Sequence, residues 1–306
     1  MRRDILETKL ISAAEREHLL KMLRGGPLDL DSFPRLRRGI PYGTHKRQKM
    51  TVFLPETGAG PFPSVLFLHG GGWESGHYED SQIRPLLPAL DAGVAVIGCG
   101  YRLLPDAGFP DDLFDVKAAL SFLKEHGRDY GVDPSHLMIA GASAGAMLAL
   151  CAAFTERMPP YCGGYYGNLP RLRGCIDFFG PSDFSMENEH FVRSDTPRMF
   201  PPSPPGKGAA DRLLNADTSA NPSLLRLISP VSLVHPDIPP VLILHGRHDP
   251  MVSCLQSQEL HEEICRVCGS GRSRIVISEE TTHADTAYES EPYTTQLLDF
   301  IRSCLL

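Results

Sequence analysis

The amino-acid sequence predicts an α/β protein with a mainly parallel central sheet and helices on both faces. From about residue 40 onward, segments with strand character alternate with segments of helical periodicity. Several strand segments are apolar on both faces, as expected for parallel strands covered by helices on each side. The 306 residues are 42% hydrophobic and 22% charged. The chain can therefore form a sizeable core, and disorder is not expected.

Each element follows from a local pattern. Apolar runs predict seven strands, at Met50–Leu54, Ser64–His69, Val94–Cys99, Leu137–Ala140, Cys175–Phe179, Val241–His245 and Arg274–Ser278. Helical patterns lie at Asp80–Ala92, Asp111–Tyr130, Ala144–Thr155, Ser253–Val267 and Pro292–Ser303. This alternation implies right-handed crossovers and an open α/β sheet.

The chain is predicted to contain an N-terminal helical segment, residues 1–40, followed by one α/β domain, residues 41–306. Inside that domain, residues 185–230 interrupt the alternation with a stretch rich in Pro, Ser, Asn and Arg. A connection this long in a compact domain is usually a functional lid or a disordered loop. We expect a lid or a pocket wall here, and not a separate domain.

Charge and apolar patterning argue against several classes of protein. Lys and Arg number 30 against 37 Asp and Glu, a net charge of −7, whereas nucleic-acid binding usually needs a clustered basic face. No apolar run approaches the roughly 18 residues of a membrane span, and no signal-peptide core is present. We therefore expect a cytoplasmic protein whose eight cysteines are mostly reduced and buried. The pair Cys265 and Cys268 has no second CxxC or His pair, so no metal site is expected.

A serine on a predicted strand-to-helix turn is the strongest functional signal. Gly141-Ala-Ser143-Ala-Gly145 follows the apolar strand at Leu137–Ala140 and precedes a helix of small residues. Such a turn lifts a hydroxyl out of the sheet and places it at a helix N-terminus. Flanking glycines prevent the neighbouring chain segments from clashing. We therefore predict that Ser143 is a nucleophile, although small residues also occur on such turns for packing.

A glycine-rich loop forms the second signal. His69-Gly-Gly-Gly-Trp73 comes directly after the strand at Ser64–His69. Three glycines allow backbone amides to turn toward a substrate, where they can stabilise an oxyanion by about 3–4 kcal/mol per donor. A generic turn or a phosphate loop would be the alternatives, but a phosphate loop would end in Lys and Ser or Thr, which are lacking here.

Two later loops supply an acid and a base. Asp249 follows the strand at Val241–His245, and His283 follows the strand at Arg274–Ser278. Parallel sheets place their active sites at the carboxyl edge, where both loops begin. We therefore expect His283 to take the proton of Ser143, and Asp249 to orient the imidazole and stabilise its charged form.

Other candidates fit these roles less well. His245 and His248 precede Asp249 and follow the wrong strand for a base. Asp285 is two residues from His283 and could cap a helix, and Asp237 lies in a Pro-rich loop before its strand.

These motifs together resemble those of the α/β-hydrolase fold esterases over roughly residues 40–290. The resemblance is to the hormone-sensitive-lipase-like and the BD-FAE (feruloyl-esterase/acetylesterase-like) branches. HGGGW at 69–73 resembles the oxyanion motif, GASAG at 141–145 the nucleophile elbow, and His245-Gly-x-x-Asp249 the acid motif. Further blocks at 101–105 and 179–184 are similar to those of the family.

The resemblance implies an α/β-hydrolase fold whose catalytic domain is residues 41–306. It implies that the amides of Gly71, Gly72 and Ala144 form the oxyanion hole. Near them, we expect Trp73, Tyr101 and Phe179 to wall the substrate pocket, while a plain packing role for Trp73 stays open.

The expected activity is that of a serine esterase that works through an acyl-enzyme without a cofactor. Its partner would be a small-molecule ester, short-chain or aromatic, including acetylated or feruloylated carbohydrates. An amidase or formamidase such as kynurenine formamidase is the first alternative, because these enzymes look similar around HGGxW. A catalytically silent α/β-hydrolase that binds a ligand is the second. The sequence leaves homo-oligomerisation open.

Overall fold

A single eight-stranded sheet organises the protein. The computed structural model describes residues 9–23, 26–194 and 196–306. Its strands are β1 (Leu36–Pro41), β2 (Lys49–Phe53), β3 (Phe62–Leu68), β4 (Ala95–Cys99), β5 (Val132–Ala142), β6 (Leu172–Phe178), β7 (Val241–Gly246) and β8 (Ser273–Ser278). Their spatial order is β1-β2-β4-β3-β5-β6-β7-β8.

Most neighbouring strands run parallel. β2 pairs antiparallel with both β1 and β4, and all the remaining pairs are parallel. The register sets Leu68 opposite Gly141 and Leu244 opposite Phe178. The carboxyl ends of the central strands therefore lie at one edge, and the loops that follow them can meet there. This arrangement confirms the predicted mainly parallel sheet.

Helices cover the sheet on both faces. They are α1 (Ala13–Leu23), α2 (Asp111–His126), α3 (Ala144–Phe154), α4 (Glu187–Ser194), α5 (Ala209–Leu214), α6 (Leu225–Ile228), α7 (Cys254–Cys268) and α8 (Tyr293–Leu305). One buried cluster unites apolar residues of α2, α3 and α7, and a second unites those of α8 with a 3₁₀ helix at Ser81–Leu90. Within the described ranges, no helix has both the length and the apolar character needed to cross a bilayer.

Two predicted segments differ from the structure. The predicted N-terminal helical segment contains α1 but also β1, and part of it, residues 1–8 and 24–25, lies outside the described residues. β1 was not predicted because it is an edge strand in which only Ile40 is fully buried, so no apolar run marks it. The helix predicted at Asp80–Ala92 is a 3₁₀ helix because Pro85 and Pro88 lie within it.

The insertion at 185–230 folds into short helices that are tied to the domain. Arg212 Nε lies 2.8 Å from Glu74 Oε1, beside the glycine-rich loop. The backbone amide of Phe109 donates to the carbonyl of Leu213 at 2.8 Å. These contacts attach α5 to the loops at the carboxyl edge of the sheet. A lid or pocket-wall role for the insertion stays a prediction.

Candidate active site

Ser143 occupies a sharp turn between β5 and α3. Its backbone has φ 52° and ψ −119°, a region that L-residues rarely adopt. The turn is held by a hydrogen bond from the Ser143 amide to the carbonyl of Phe178, at 2.9 Å. A Cβ atom at Gly141 would overlap the backbone of Gly145, so the turn can close only with glycine at position 141. The sequence pattern thus produces the strained geometry that exposes a serine hydroxyl.

The structure brings the three predicted side chains together. His283 Nε2 lies 3.0 Å from Ser143 Oγ, and His283 Nδ1 lies 2.6 Å from Asp249 Oδ2. A carboxylate can only accept, so Nδ1 carries the hydrogen and Nε2 of the neutral ring is free to accept from the serine hydroxyl. Both His283 and Asp249 are buried. The arrangement can draw a proton from Ser143 toward His283.

Asp249 is held by donors on both oxygens. Its Oδ1 accepts from the backbone amides of Met251, at 2.7 Å, and Val252, at 2.9 Å. Its Oδ2 accepts from His283 and also from His245 Nε2 at 3.1 Å. Burial alone would raise the pKa of this carboxyl, but the charge and hydrogen bonds of the two histidines outweigh burial and hold it well below its usual range. Asp249 is therefore ionised wherever the protein is folded near neutral pH.

The glycine-rich loop runs past Ser143. Gly71 and Gly72 have φ values of 121° and 62°. Residues that carry a side chain rarely adopt such positive values, whereas glycine adopts them readily. Within the described chain, no internal hydrogen bond uses either amide, so both donors remain available to a ligand. Ala144 begins α3 directly after Ser143, which places its amide at the helix N-terminus. These are the donors predicted for an oxyanion.

Gln82 holds the start of this loop in place, and no sequence motif marks it. Its Oε1 accepts from the amide of Gly70 at 2.8 Å. A Cβ atom at Gly70 would lie 3.2 Å from Ser143 Cβ, so the loop and the serine turn are in direct contact. Gln82 lies in the Ser81–Leu90 helix, far from any motif, and only the folded structure reveals its contact.

Tyr101 does not wall a pocket, contrary to the sequence prediction. It is fully buried, and its hydroxyl donates to the carbonyl of His69 at 2.7 Å. Its ring stacks on that of His69, with centroids 4.6 Å apart. Burial lowers the pKa of His69 to about 4, which keeps the imidazole neutral. Tyr101 therefore supports the glycine-rich loop, because its hydroxyl and its ring both contact His69, where that loop begins.

Trp73 and Phe179 lie in different environments. Trp73 is 6% exposed, and its ring packs against Phe184 with centroids 5.9 Å apart, so packing accounts for most of its surface. Phe179 lies 4.6 Å from the His283 ring, centroid to centroid. It also lines a cavity of about 60 Å³ together with Ala142 and Ala284. Its lining includes the sequence neighbours of Ser143 and His283 but neither of those two residues.

The cysteines and Asp285 have contacts of their own outside the Ser143, His283 and Asp249 group. All eight cysteines are free thiols, and five of them are buried. Cys265 Sγ contacts the ring of His261, and Cys268 Sγ donates to the carbonyl of His235 at 3.2 Å. In the part of the chain that the structure describes, no group of three or more His, Cys, Asp or Glu side chains could hold a metal ion. Asp285 caps the 3₁₀ helix at Thr286–Glu289 through the amide of Ala287.

Known structures share this fold. The chain superposes on a truncated carbohydrate esterase from gut microbiota with a TM-score of 0.77, at 21% identity, covering 91% of this chain and 99% of that one. It superposes on a thermophilic esterase from Thermogutta terrifontis with a TM-score of 0.65, at 19% identity, covering 89% and 93%. At these identities the similarity establishes the fold alone.

Sequence relatives are esterases by description. The chain is 31% identical to the probable carboxylic ester hydrolase LipM of Mycobacterium tuberculosis over 70% of this chain and 47% of LipM. It is 27% identical to a probable isoprenylcysteine alpha-carbonyl methylesterase of Arabidopsis thaliana, over 82% of this chain and 52% of the relative. The chain spans about half the length of these curated relatives.

The family follows from a match that covers most of the domain. Residues 50–264 match the BD-FAE family model, which is well over half of the 306 residues. That range includes the glycine-rich loop, the serine turn and the acid loop, whereas His283 lies beyond it. The chain therefore belongs to the BD-FAE family, on the α/β-hydrolase fold.

Proposed function

We propose that this protein is a serine carboxylic-ester hydrolase that acts through an acyl-enzyme. The observation that carries the proposal is the continuous chain of contacts from Ser143 Oγ to His283 Nε2, at 3.0 Å, and from His283 Nδ1 to Asp249 Oδ2, at 2.6 Å. A serine hydroxyl is a weak nucleophile unless a base is within hydrogen-bond reach and is itself oriented by a third group. The contacts at the carboxyl edge of the sheet meet both conditions.

Acylation begins at the serine hydroxyl. Ser143 Oγ attacks the carbonyl carbon of the ester while its proton passes to His283 Nε2. Asp249 keeps the Nδ1 hydrogen in place and stabilises the imidazolium that forms. The amides of Gly71, Gly72 and Ala144 act as the oxyanion donors and stabilise the negative charge that develops on the former carbonyl oxygen. The C–O bond to the alcohol then breaks, and His283 returns the proton to the leaving oxygen.

Deacylation repeats the steps with water. A water oxygen attacks the acyl carbon on Ser143 Oγ while His283 takes a proton from that water molecule. A second oxyanion forms and is stabilised by the same donors. The acyl–serine bond breaks, the serine oxygen recovers the proton from His283, and a carboxylic acid leaves. No cofactor is needed for this cycle.

The proposed substrates are small carboxylic esters, short-chain or aromatic. The descriptions of LipM as a carboxylic ester hydrolase and of one structural neighbour as a carbohydrate esterase support this class. Acetylated or feruloylated carbohydrates belong to it.

A substrate comparison tests the proposal. We expect the purified protein to hydrolyse p-nitrophenyl acetate and butyrate faster than N-formylkynurenine, measured as kcat/KM. Ser143→Ala should abolish turnover, and Asp249→Asn should lower kcat by roughly 10⁴-fold in a protein that stays folded by circular dichroism. Faster turnover of N-formylkynurenine would instead establish a formamidase. Unchanged ester turnover in Ser143→Ala would contradict the proposed mechanism.

A further inference from the structure

A second imidazole contacts the proposed catalytic acid. His245, the last residue but one of β7, is fully buried. Its Nε2 lies 3.1 Å from Asp249 Oδ2 and 2.9 Å from the carbonyl oxygen of Val252. Asp249 Oδ2 thus accepts hydrogen bonds from two histidines, His245 in β7 and His283 in the loop after β8. The sequence presents His245 as a member of the acid motif and as a competing base, but does not predict this contact.

The contacts of His245 determine which of its ring nitrogens carries a hydrogen. Both partners of Nε2, a carboxylate and a carbonyl, can only accept, so Nε2 must donate. On the other side of the ring, Nδ1 lies 2.7 Å from Ser257 Oγ in α7. A neutral imidazole can accept there from the serine hydroxyl. The contact with Ser257 is therefore compatible with the tautomer of His245 that donates to Asp249.

The bond from His245 selects one orientation of the carboxylate. Asp249 Oδ1 is occupied by the amides of Met251 and Val252, and Oδ2 by the two histidines. If the donor at His245 were lost, the carboxylate would keep its amide contacts but would be free to rotate about them. The geometry at His283 would then loosen, and a displacement of about 1 Å at a catalytic group can cost 10²-fold in rate.

We propose that His245 is a positioning residue that holds the carboxylate of Asp249 in line with His283. This inference rests on the proposed function, because it concerns the same site. His245 does not reach Ser143 or a substrate; it acts through Asp249 alone.

Other ionisable groups surround the pair. Asp177 on β6 faces His245, and burial raises the pKa of Asp177 to about 7. Tyr288 and Cys254 both interact electrostatically with Asp249, and burial raises the pKa of each. None of these three donates a hydrogen bond to the Asp249 carboxylate, so His245 and His283 are its side-chain donors within the described residues.

Two substitutions at position 245 separate the two sides of the ring. His245→Gln carries an amide nitrogen near the position of Nε2 and can still donate to Asp249. His245→Asn reaches only the position of Nδ1, so it keeps a polar partner for Ser257 but loses the donor to Asp249. Both variants replace the ring by a neutral amide and differ in its reach, so they form a matched pair.

We expect His245→Asn to lower kcat for p-nitrophenyl acetate about tenfold or more, with KM within about twofold. The acid limb of its kcat/KM profile should move to lower pH, because a carboxylate that has turned away from His283 stabilises the protonated imidazole less. His245→Gln should retain most of kcat and the original acid limb. Equal losses in both variants, or none in either, would overturn the proposal.

A control separates positioning from mere stability. His190 is also fully buried, and its Nε2 contacts the Glu259 carboxylate at 2.8 Å, away from Asp249. His190→Asn should lower Tm without moving the acid limb. If His245→Asn and His190→Asn both lowered Tm but left kcat and the pH profile of the folded protein unchanged, His245 would have a structural role only.

A second readout needs no turnover. The hydrogen between His283 Nδ1 and Asp249 should give a far-downfield proton resonance in one-dimensional NMR spectra. We expect that resonance to shift or broaden in His245→Asn and to persist in His245→Gln. An unchanged resonance in both variants would refute the positioning role even if the wild-type protein hydrolysed no ester. Absence of ester turnover in the wild type would refute the proposed function alone.

Discussion

Gly145 packs directly against the carbonyl oxygen of Leu68, closely enough that a Cβ atom at position 145 would overlap it. The first turn of α3 thus rests on the carboxyl end of β3, where the glycine-rich loop begins. The same overlap would extend to the carbonyl of His69. Ser143 and the proposed oxyanion donors are therefore fixed relative to each other by backbone contact, which preorganises them more firmly than flexible side chains would.

The first prediction concerns this contact. Gly145→Ala should lower the free energy of unfolding by about 1–3 kcal/mol, because the backbone must shift to admit a methyl group. Its kcat should fall as well, since the shift separates the serine turn from the loop. Gly271→Ala is the control, because Gly271 is exposed with no atom within 4 Å of the added Cβ, and it should change stability by less than about 0.5 kcal/mol. Chemical denaturation measures both, and equal stability of the two variants would contradict the packing argument.

The second prediction concerns the support beneath the loop. Tyr101→Phe removes the hydroxyl that donates to the carbonyl of His69 at 2.7 Å and keeps the ring stacked on His69. A buried carbonyl that loses its donor costs about 1–3 kcal/mol, so Tm should fall. We also expect kcat to fall severalfold with little change in KM, because Gly71 and Gly72, the proposed oxyanion donors, come shortly after His69 in the sequence. A variant that loses Tm but keeps full kcat would show that the bond stabilises the fold without ordering the loop.

The third prediction concerns pH and stability. Burial raises the pKa of Asp112 to about 7 from its ordinary value of 3.8, and the nearby carboxylate of Asp115 adds to the rise. Between these pH values the unfolded chain has lost this proton and the folded protein retains it, so the contribution of Asp112 to stability falls as pH rises toward 7 and then levels off. Asp112→Asn removes the dependence. The Tm of the variant minus that of the wild type should therefore increase from about pH 4 to about pH 7 and stay constant above.

The control for this prediction is a carboxyl on the same helical turn. Asp111 is the exposed neighbour at the start of α2, and Asp111→Asn removes one charge without removing a buried carboxyl. Its Tm difference from the wild type should stay nearly constant over the same range. A constant difference for Asp112→Asn would show that this carboxyl is ionised throughout.

The sequence predicts the three site residues because chain order and the geometry of a parallel sheet together determine where they lie. Ser143, Asp249 and His283 each follow a strand of the parallel sheet, and parallel strands end at the same edge. Their convergence therefore required no knowledge of side-chain contacts. The sequence does not predict the strand β1, because an exposed edge strand has no apolar run to mark it.

The contacts that support the site cannot be predicted from the order of residues along the chain. The sequence predicts Tyr101 in the pocket because it is an aromatic residue near a strand end, yet Tyr101 is fully buried against His69. The sequence presents His245 as a competing base and as part of the acid motif, whereas its contact with Asp249 depends on the backbone turn that brings position 249 back beside β7. Gln82 lies on a separate element. Such contacts depend on three-dimensional proximity, which chain order alone does not determine.

The most direct test is covalent labelling of Ser143. A fluorophosphonate probe reacts with a serine whose proton can pass to an adjacent base, and peptide mass spectrometry locates the adduct. We predict one adduct per chain, on the peptide that contains Ser143, lost in Ser143→Ala and strongly slowed in His283→Ala. An unlabelled wild-type protein that still hydrolyses esters, or an adduct that persists in Ser143→Ala, would contradict the assignment of Ser143 as the nucleophile.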